Sequence, residues 1–266
     1  MNVRPPHSRR AFLGLVAAAT SAVAAACSRI TGPGGGQPAA AATPSPRRPV
    51  SENALAGDPH WNIRHIGARN AMLGYAGQAS VLPGEPITLY VSTTARSFKV
   101  SAFRMGWYNG DRARRLWKSE PVKGHQQRAA SMVAPTNTVE AAWGPSLTVP
   151  TDDWPAGSYL LRLDADTGAQ RYVPVTVRST STAGKVVIKN GTATWQAYNT
   201  WGGYDLYKGP SGAYGDRSLA VSLDRPYDQS GAYYFLWHEQ NLISLAEQLG
   251  VPLAYASSMD IAAEPN

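Results

Sequence analysis

Short runs that alternate apolar and polar positions fill the middle of the chain. Residues 87–92, Ile-Thr-Leu-Tyr-Val-Ser, alternate in strand fashion directly after the turn-forming Leu82-Pro83-Gly84-Glu85-Pro86. Residues 98–105 predict a second strand, with Phe98, Val100 and Ala102 on one face. A polar turn, Trp107-Tyr108-Asn109-Gly110-Asp111, leads into a run at 113–117, and further runs at 146–149, 157–164 and 171–177 give at least six strands. Trp154-Pro155-Ala156-Gly157-Ser158-Tyr159 is the kind of turn that opens a strand in immunoglobulin-like domains. Many short strands punctuated by Pro and Gly turns predict an all-β, immunoglobulin-like sandwich over residues 54–178.

The period changes after the polar linker at residues 179–184. Residues 185–189 are strand-like, whereas 233–249 have helical spacing, with Phe235, Leu242, Leu245, Ala246 and Leu249 as the apolar stripe. Gly250 falls at the position after the helix where a left-handed residue is wanted, and residues 251–256 form a second strand that leads to Asp260. Strand, helical connection and strand make one βαβ unit of a parallel sheet, so residues 184–266 predict an α/β domain. One such unit is less than a doubly wound sheet uses, and this predicts an incomplete, inactive α/β domain, either of a truncated relative or of a coding sequence that continues past Asn266. His238 and Glu239 fall where the stripe from Phe235 should continue. Either both reach solvent at its margin, or Glu239 points into a polar pocket.

The amino terminus carries a different pattern. Ser8-Arg9-Arg10-Ala11-Phe12-Leu13 resembles the twin-arginine export motif, and the apolar segment at 12–26 is too short to span a bilayer but suits a signal peptide. Val23-Ala24-Ala25-Ala26-Cys27 resembles a lipobox with Cys27 as the lipidated residue, although Ala24 stands where Leu is preferred. Cleavage at an Ala-x-Ala site is the competing reading. An exported protein, anchored by lipid on the outer face of the cytoplasmic membrane or in the cell envelope, is therefore expected. Residues 28–53, rich in Gly, Pro and Ala, read as a disordered tether between the 1–27 signal and the first domain.

Composition refines this picture in two ways. The formal charge of +7 includes Arg4, Arg9 and Arg10 of the signal, and without them 22 basic residues face 18 acidic ones, with no Lys/Arg stripe. Nucleic-acid binding is thus not supported. Cys27 is the single cysteine, so no intramolecular disulfide can form.

The chemistry concentrates in residues 194–207, Thr-Trp-Gln-Ala-Tyr-Asn-Thr-Trp-Gly-Gly-Tyr-Asp-Leu-Tyr, with five aromatic rings in fourteen residues. Its Gly-Gly pair disfavours helix, and it follows a strand, so it reads as a loop at a strand's carboxyl end, where open α/β sheets bind ligands. An aromatic packing loop is the plainer alternative. No Gly-x-Ser-x-Gly elbow, phosphate-binding loop or His-Glu-x-x-His occurs, and His60 with His65 lacks a third ligand at a usual spacing. What remains is phenols with acids: Tyr198, Tyr204, Tyr207, Tyr214 and Tyr227, with Asp205, Asp224 and Glu239.

Gln196-Ala197-Tyr198-Asn199-Thr200-Trp201-Gly202-Gly203, Asp224-Arg225-Pro226-Tyr227, and Glu239 with Leu245-Ala246-Glu247-Gln248-Leu249-Gly250 and Asp260 resemble the large (β) subunit of N,N-dimethylformamidase and its relatives. The resemblance implies a fold like the class I glutamine amidotransferases. It also implies hydrolysis of a small amide's C–N bond at a mononuclear iron held by two tyrosines and a glutamate. Phenolate and carboxylate are hard donors suited to trivalent iron. Matched by residue, Tyr198 is the first tyrosine and Tyr227 the candidate for the second, with Tyr204 and Tyr207 as substitutes. Glu239 and Asn199 are the catalytic candidates. The His-Asp-Glu-Tyr-Trp motif expected to carry the family's glutamate does not occur. The rival reading is a non-catalytic envelope lipoprotein whose aromatic loop stacks on a glycan. Oligomeric state leaves no trace in the sequence.

Overall fold

The computed structural model describes residues 51–263, so Arg9, Arg10 and Cys27 lie outside the described residues. The β-rich part begins with β1 (Met72–Ala76), β2 (Ser80–Val81), β3 (Ile87–Thr93), β4 (Ser97–Met105) and β5 (Ala113–Lys118). It continues with β6 (Val122–Lys123), β7 (Ser131–Val133), β8 (Thr138–Glu140), β9 (Leu147–Val149), β10 (Gly157–Ala165) and β11 (Gln170–Val177). One sheet runs β1-β3-β9, a second runs β2-β11-β10-β4-β5 with β6 also on β4, and β7-β8 is a separate hairpin. The six longer runs read from the sequence are all strands, within two residues at each end.

The two larger sheets enclose one core. Ile87, Leu89 and Val91 of β3 meet Phe98, Val100 and Ala102 of β4 and Leu161, Leu163, Val173 and Val175 of β10 and β11. The alternate residues of β4, β10 and β11 are buried too, in a second core. There Phe103, Met105, Leu160 and Tyr172 pack against Ile188, Trp195, Phe235, Ile243 and Tyr255 from the carboxyl-terminal part. The six-stranded sheet is thus covered on both faces, which is why residues 100–105 are buried without alternation. A core crosses the polar stretch at 179–184, and the described residues 51–263 fall in a single compact unit.

The carboxyl-terminal part contains β12 (Val186–Asn190), α1 (Thr192–Ala197), α2 (Gln240–Gln248), β13 (Leu253–Ser257) and α3 (Ser258–Ala263). β12 and β13 pair in parallel from Val186–Leu253 to Asn190–Ser257, as a βαβ unit requires. Gly250 takes φ +71°, and its N–H donates to the Glu247 carbonyl, closing α2 as expected.

The helix itself differs from the sequence reading. Its first turn, Phe235–Glu239, is π-helical, and the wider turn shifts the phase of every residue after it. α2 therefore buries Gln240, Ile243, Ser244 and Glu247, while Leu242, Leu245 and Leu249 are more than half exposed. Glu247 faces the sheet and pairs with Arg104 of β4 at 2.7 Å, both side chains being almost fully buried. Tyr255 donates to the same carboxylate at 2.8 Å and the Trp107 N–H at 3.2 Å. A Cβ at residue 106 would collide with Glu247 and the Tyr108 ring, so only glycine lets the acid approach there. The chain is also ordered earlier than a tether ending at residue 53 implies. Glu52 sits in a 3-10 turn, Glu52–Ala54, and accepts from the Tyr108 hydroxyl at 2.7 Å and Arg114 Nε at 2.8 Å.

Candidate functional site

The aromatic stretch leaves the carboxyl end of β12 as expected, but its first residues form α1 rather than loop, because the Gly-Gly pair acts only after Ala197. Beyond α1 two buried polar side chains set the path. Asn199 is fully buried, and its amide donates to Gln196 Oε1 and the Pro226 carbonyl, both at 2.9 Å. Its carbonyl oxygen accepts from the N–H groups of Trp201 at 3.1 Å and Asp228 at 3.0 Å. Arg225, also fully buried, donates to the Gln196 side chain and to the carbonyls of Gln196, Trp201 and Tyr204. These contacts clamp the aromatic stretch to the Asp224–Asp228 segment. Asn199 has no capacity left for a ligand, so what the structure gives it is a positioning contact.

The clamped loop lines a groove of about 960 Å³ together with Arg69, Asn70, Leu73, residues 126–130 and Arg171. Tyr198 lies in it, with its ring stacked on Tyr207 at 4.4 Å and tilted against Tyr234 at 5.8 Å. Tyr207's hydroxyl is held above the ordinary phenol range, first by its hydrogen bond with Tyr198 and then by the neighbouring phenol's charge. Tyr234 is raised by burial and by Asp228. Asp228 accepts from Thr200 N at 3.0 Å and Thr200 Oγ1 at 2.5 Å through one oxygen. Three phenols and the carboxylates of Asp205 and Asp228 therefore share one groove.

The other candidates lie apart from it. Tyr227 packs edge-on against Trp195 at 6.0 Å, and burial pushes its hydroxyl far above the usual range. Glu239 accepts through Oε1 from Gly191 N at 2.9 Å and Trp195 Nε1 at 3.0 Å, while Oε2 is buried without a partner among the described residues. Burial raises its carboxyl to about 7 against the effect of those two donors. Glu239 is half-buried with Oε2 enclosed, and it does not line the groove that contains Tyr198. Tyr198, Tyr227 and Glu239 are thus not gathered at a single point. Tyr234, which the sequence reading missed, is a second phenol that the fold places beside Tyr198, after Tyr207. The only local cue to it is its place beside Tyr233, just before the helical run.

A family profile described as "N,N-dimethylformamidase beta subunit-like, C-terminal" matches residues 99–266. The chain belongs to this family. The match begins in β4, so this dimethylformamidase-like region takes in most of the doubly covered sheet as well as the βαβ unit. No curated protein matches the chain. Among solved structures, a Paenibacillus sp. cycloisomaltooligosaccharide glucanotransferase, complexed with cycloisomaltoheptaose, is similar at 14% identity and a TM-score of 0.26. That likeness covers 45% of this chain and 15% of the other, and it carries no argument about the fold.

Proposed function

We propose that the groove is the substrate site of an exported amidohydrolase that cleaves the C–N bond of a small amide. The observation that carries this reading is the gathering of Tyr198, Tyr207, Tyr234 and Asp228 in one groove, in a chain of the dimethylformamidase-like family. The finer architecture belongs to the same reading. The two-sheet part is taken as an immunoglobulin-like sandwich, the βαβ unit as the opening of an amidotransferase-like domain, and Arg9, Arg10 and Cys27 as signal and lipid anchor.

The family's iron fits the donors in the groove better than those spread between groove and core. Tyr198 and Tyr234 would hold it, because two phenols beside a carboxylate form a hard oxygen set. When bound, such an ion acts as a Lewis acid on the amide carbonyl. The chain's own residues do the rest. Asn199 and Arg225 fix the loop that presents Tyr198, Thr200 orients the Asp228 carboxylate, and Tyr207 stacks on Tyr198 to limit its rotation.

Ferric iron titrated into the chain is expected to give a visible tyrosinate-to-metal absorption band. Tyr198→Phe and Tyr234→Phe should each weaken the band by at least half, whereas Tyr227→Phe should leave it intact. A band that survives both groove substitutions, or disappears only with Tyr227→Phe, would refute the assignment.

A further inference from the structure

Three arginines among the described residues are at least nine-tenths buried, and two of them are fully engaged. Arg104 pairs with Glu247 and donates to the Tyr108 hydroxyl, and Arg225 is bound by Gln196 and three backbone carbonyls. Arg171, in β11, is 6% exposed. Its Nε donates to the Met72 carbonyl at 3.0 Å, and neither terminal nitrogen has a protein partner among the described residues. The residue lines the groove. Asp228 opposes it electrostatically without forming an ion pair, and burial lowers the guanidinium's pKa below its ordinary value. Its terminal nitrogens are not among the enclosed unpartnered atoms of the described residues, so they open onto the groove, where an anion rather than a protein group can meet the charge.

The geometry restricts what could satisfy it. With Nε committed to Met72, Arg171 presents only its two terminal nitrogens, a planar fork that matches a carboxylate's two oxygens. The surroundings favour an anion. Arg69, Arg128 and Lys208 line the same groove, against Asp205 and Asp228. Asp205 is 3% exposed, and one of its oxygens is taken by the Tyr207 and Lys208 N–H groups. Four cations against two carboxylates leave the groove positive, which draws in anionic ligands.

We infer that the groove takes a ligand bearing a carboxylate, held by the two terminal nitrogens of Arg171, so that the amide processed here is an acidic one such as an acylated amino acid. The inference rests on the groove being the substrate site and narrows its substrate class. The phenols Tyr198 and Tyr234 lie along the same groove as Arg171, so one acidic amide can meet both.

Calorimetric titration of the full chain with N-benzoylglycine and with its neutral counterpart, N-benzoylglycinamide, tests it. The carboxylate is expected to bind at least tenfold more tightly, and Arg171→Gln should abolish that difference. Equal affinities in the unaltered protein would overturn the inference without need of any variant. So would discrimination that persists in Arg171→Gln, or tighter binding of inorganic phosphate than of N-benzoylglycine. Should Arg171→Gln fail to fold, Arg171→Lys keeps the charge but loses the fork, and a discrimination of tenfold or more in that variant counts against the fork. Discrimination without any iron band or turnover leaves the inference standing and removes the amidohydrolase reading. Turnover of neutral amides with no preference for the acid does the reverse.

Discussion

Asn199 and Glu239 show how far a single side chain's type reveals its role. Both are polar residues in or near an aromatic stretch, and both read as chemistry. The fold gives Asn199 four hydrogen bonds and no exposure, so Asn199→Ala strands two backbone N–H groups and is expected to cost about 2–4 kcal/mol in urea unfolding. Loss of activity without loss of stability would show that it touches substrate after all. Glu239 is a titration device. Its carboxyl is raised to about 7 in the folded chain, whereas an unfolded glutamate titrates near about 4.3. The folded state therefore binds the extra proton, and its stability is fully present below about pH 4.3 and falls as pH rises toward 7, by at most about 4 kcal/mol. Urea midpoints at pH 5 and pH 8 should differ less in Glu239→Gln than in the parent chain. Tyr234 was not legible because its partner Tyr198 is 36 positions away, and only the fold of the intervening chain brings the rings together.

Among elements, the strands were readable and the helix face was not. Alternation survives in β3 because only one of its faces meets a large core, and Ile87, Leu89 and Val91 announce it. The helix misled because its π-helical first turn has no sequence marker, and a shift of one residue exchanges Leu242 and Ala246 for Ile243 and Glu247. The strongest signal of the true face is an acid. Glu247 points inward because Arg104, far away in sequence, waits on β4. Removing one partner of a buried pair leaves the other charge uncompensated, so Glu247→Ala should cost about 3–5 kcal/mol. Arg104→Met combined with Glu247→Leu should recover much of that in chemical denaturation. A single substitution costing under about 1 kcal/mol would show that the pair is hydrated.

At the scale of the whole molecule, the sequence announced two kinds of periodicity, and the structure joins them across one sheet. The join was illegible because Phe103, Met105, Leu160 and Tyr172 look like ordinary strand residues until the βαβ unit is laid on them. A fragment of residues 55–178 would leave that face uncovered and lose Glu247 from Arg104. It is expected to bind a hydrophobic dye and self-associate in gel filtration, where the 266-residue chain does not. A monomeric, dye-silent fragment would mean that the outer face needs no cover.

A sheet gripped on both sides also governs motion. Hinged enzymes open along a boundary where few contacts cross, but here the boundary near residue 180 is bridged by a core and by a buried ion pair. Opening by a swing of one half against the other would tear both. Admission to the groove falls instead to its rim, the irregular segments at 124–130 and 205–217, which carry no strand and can breathe while the sheet stays still.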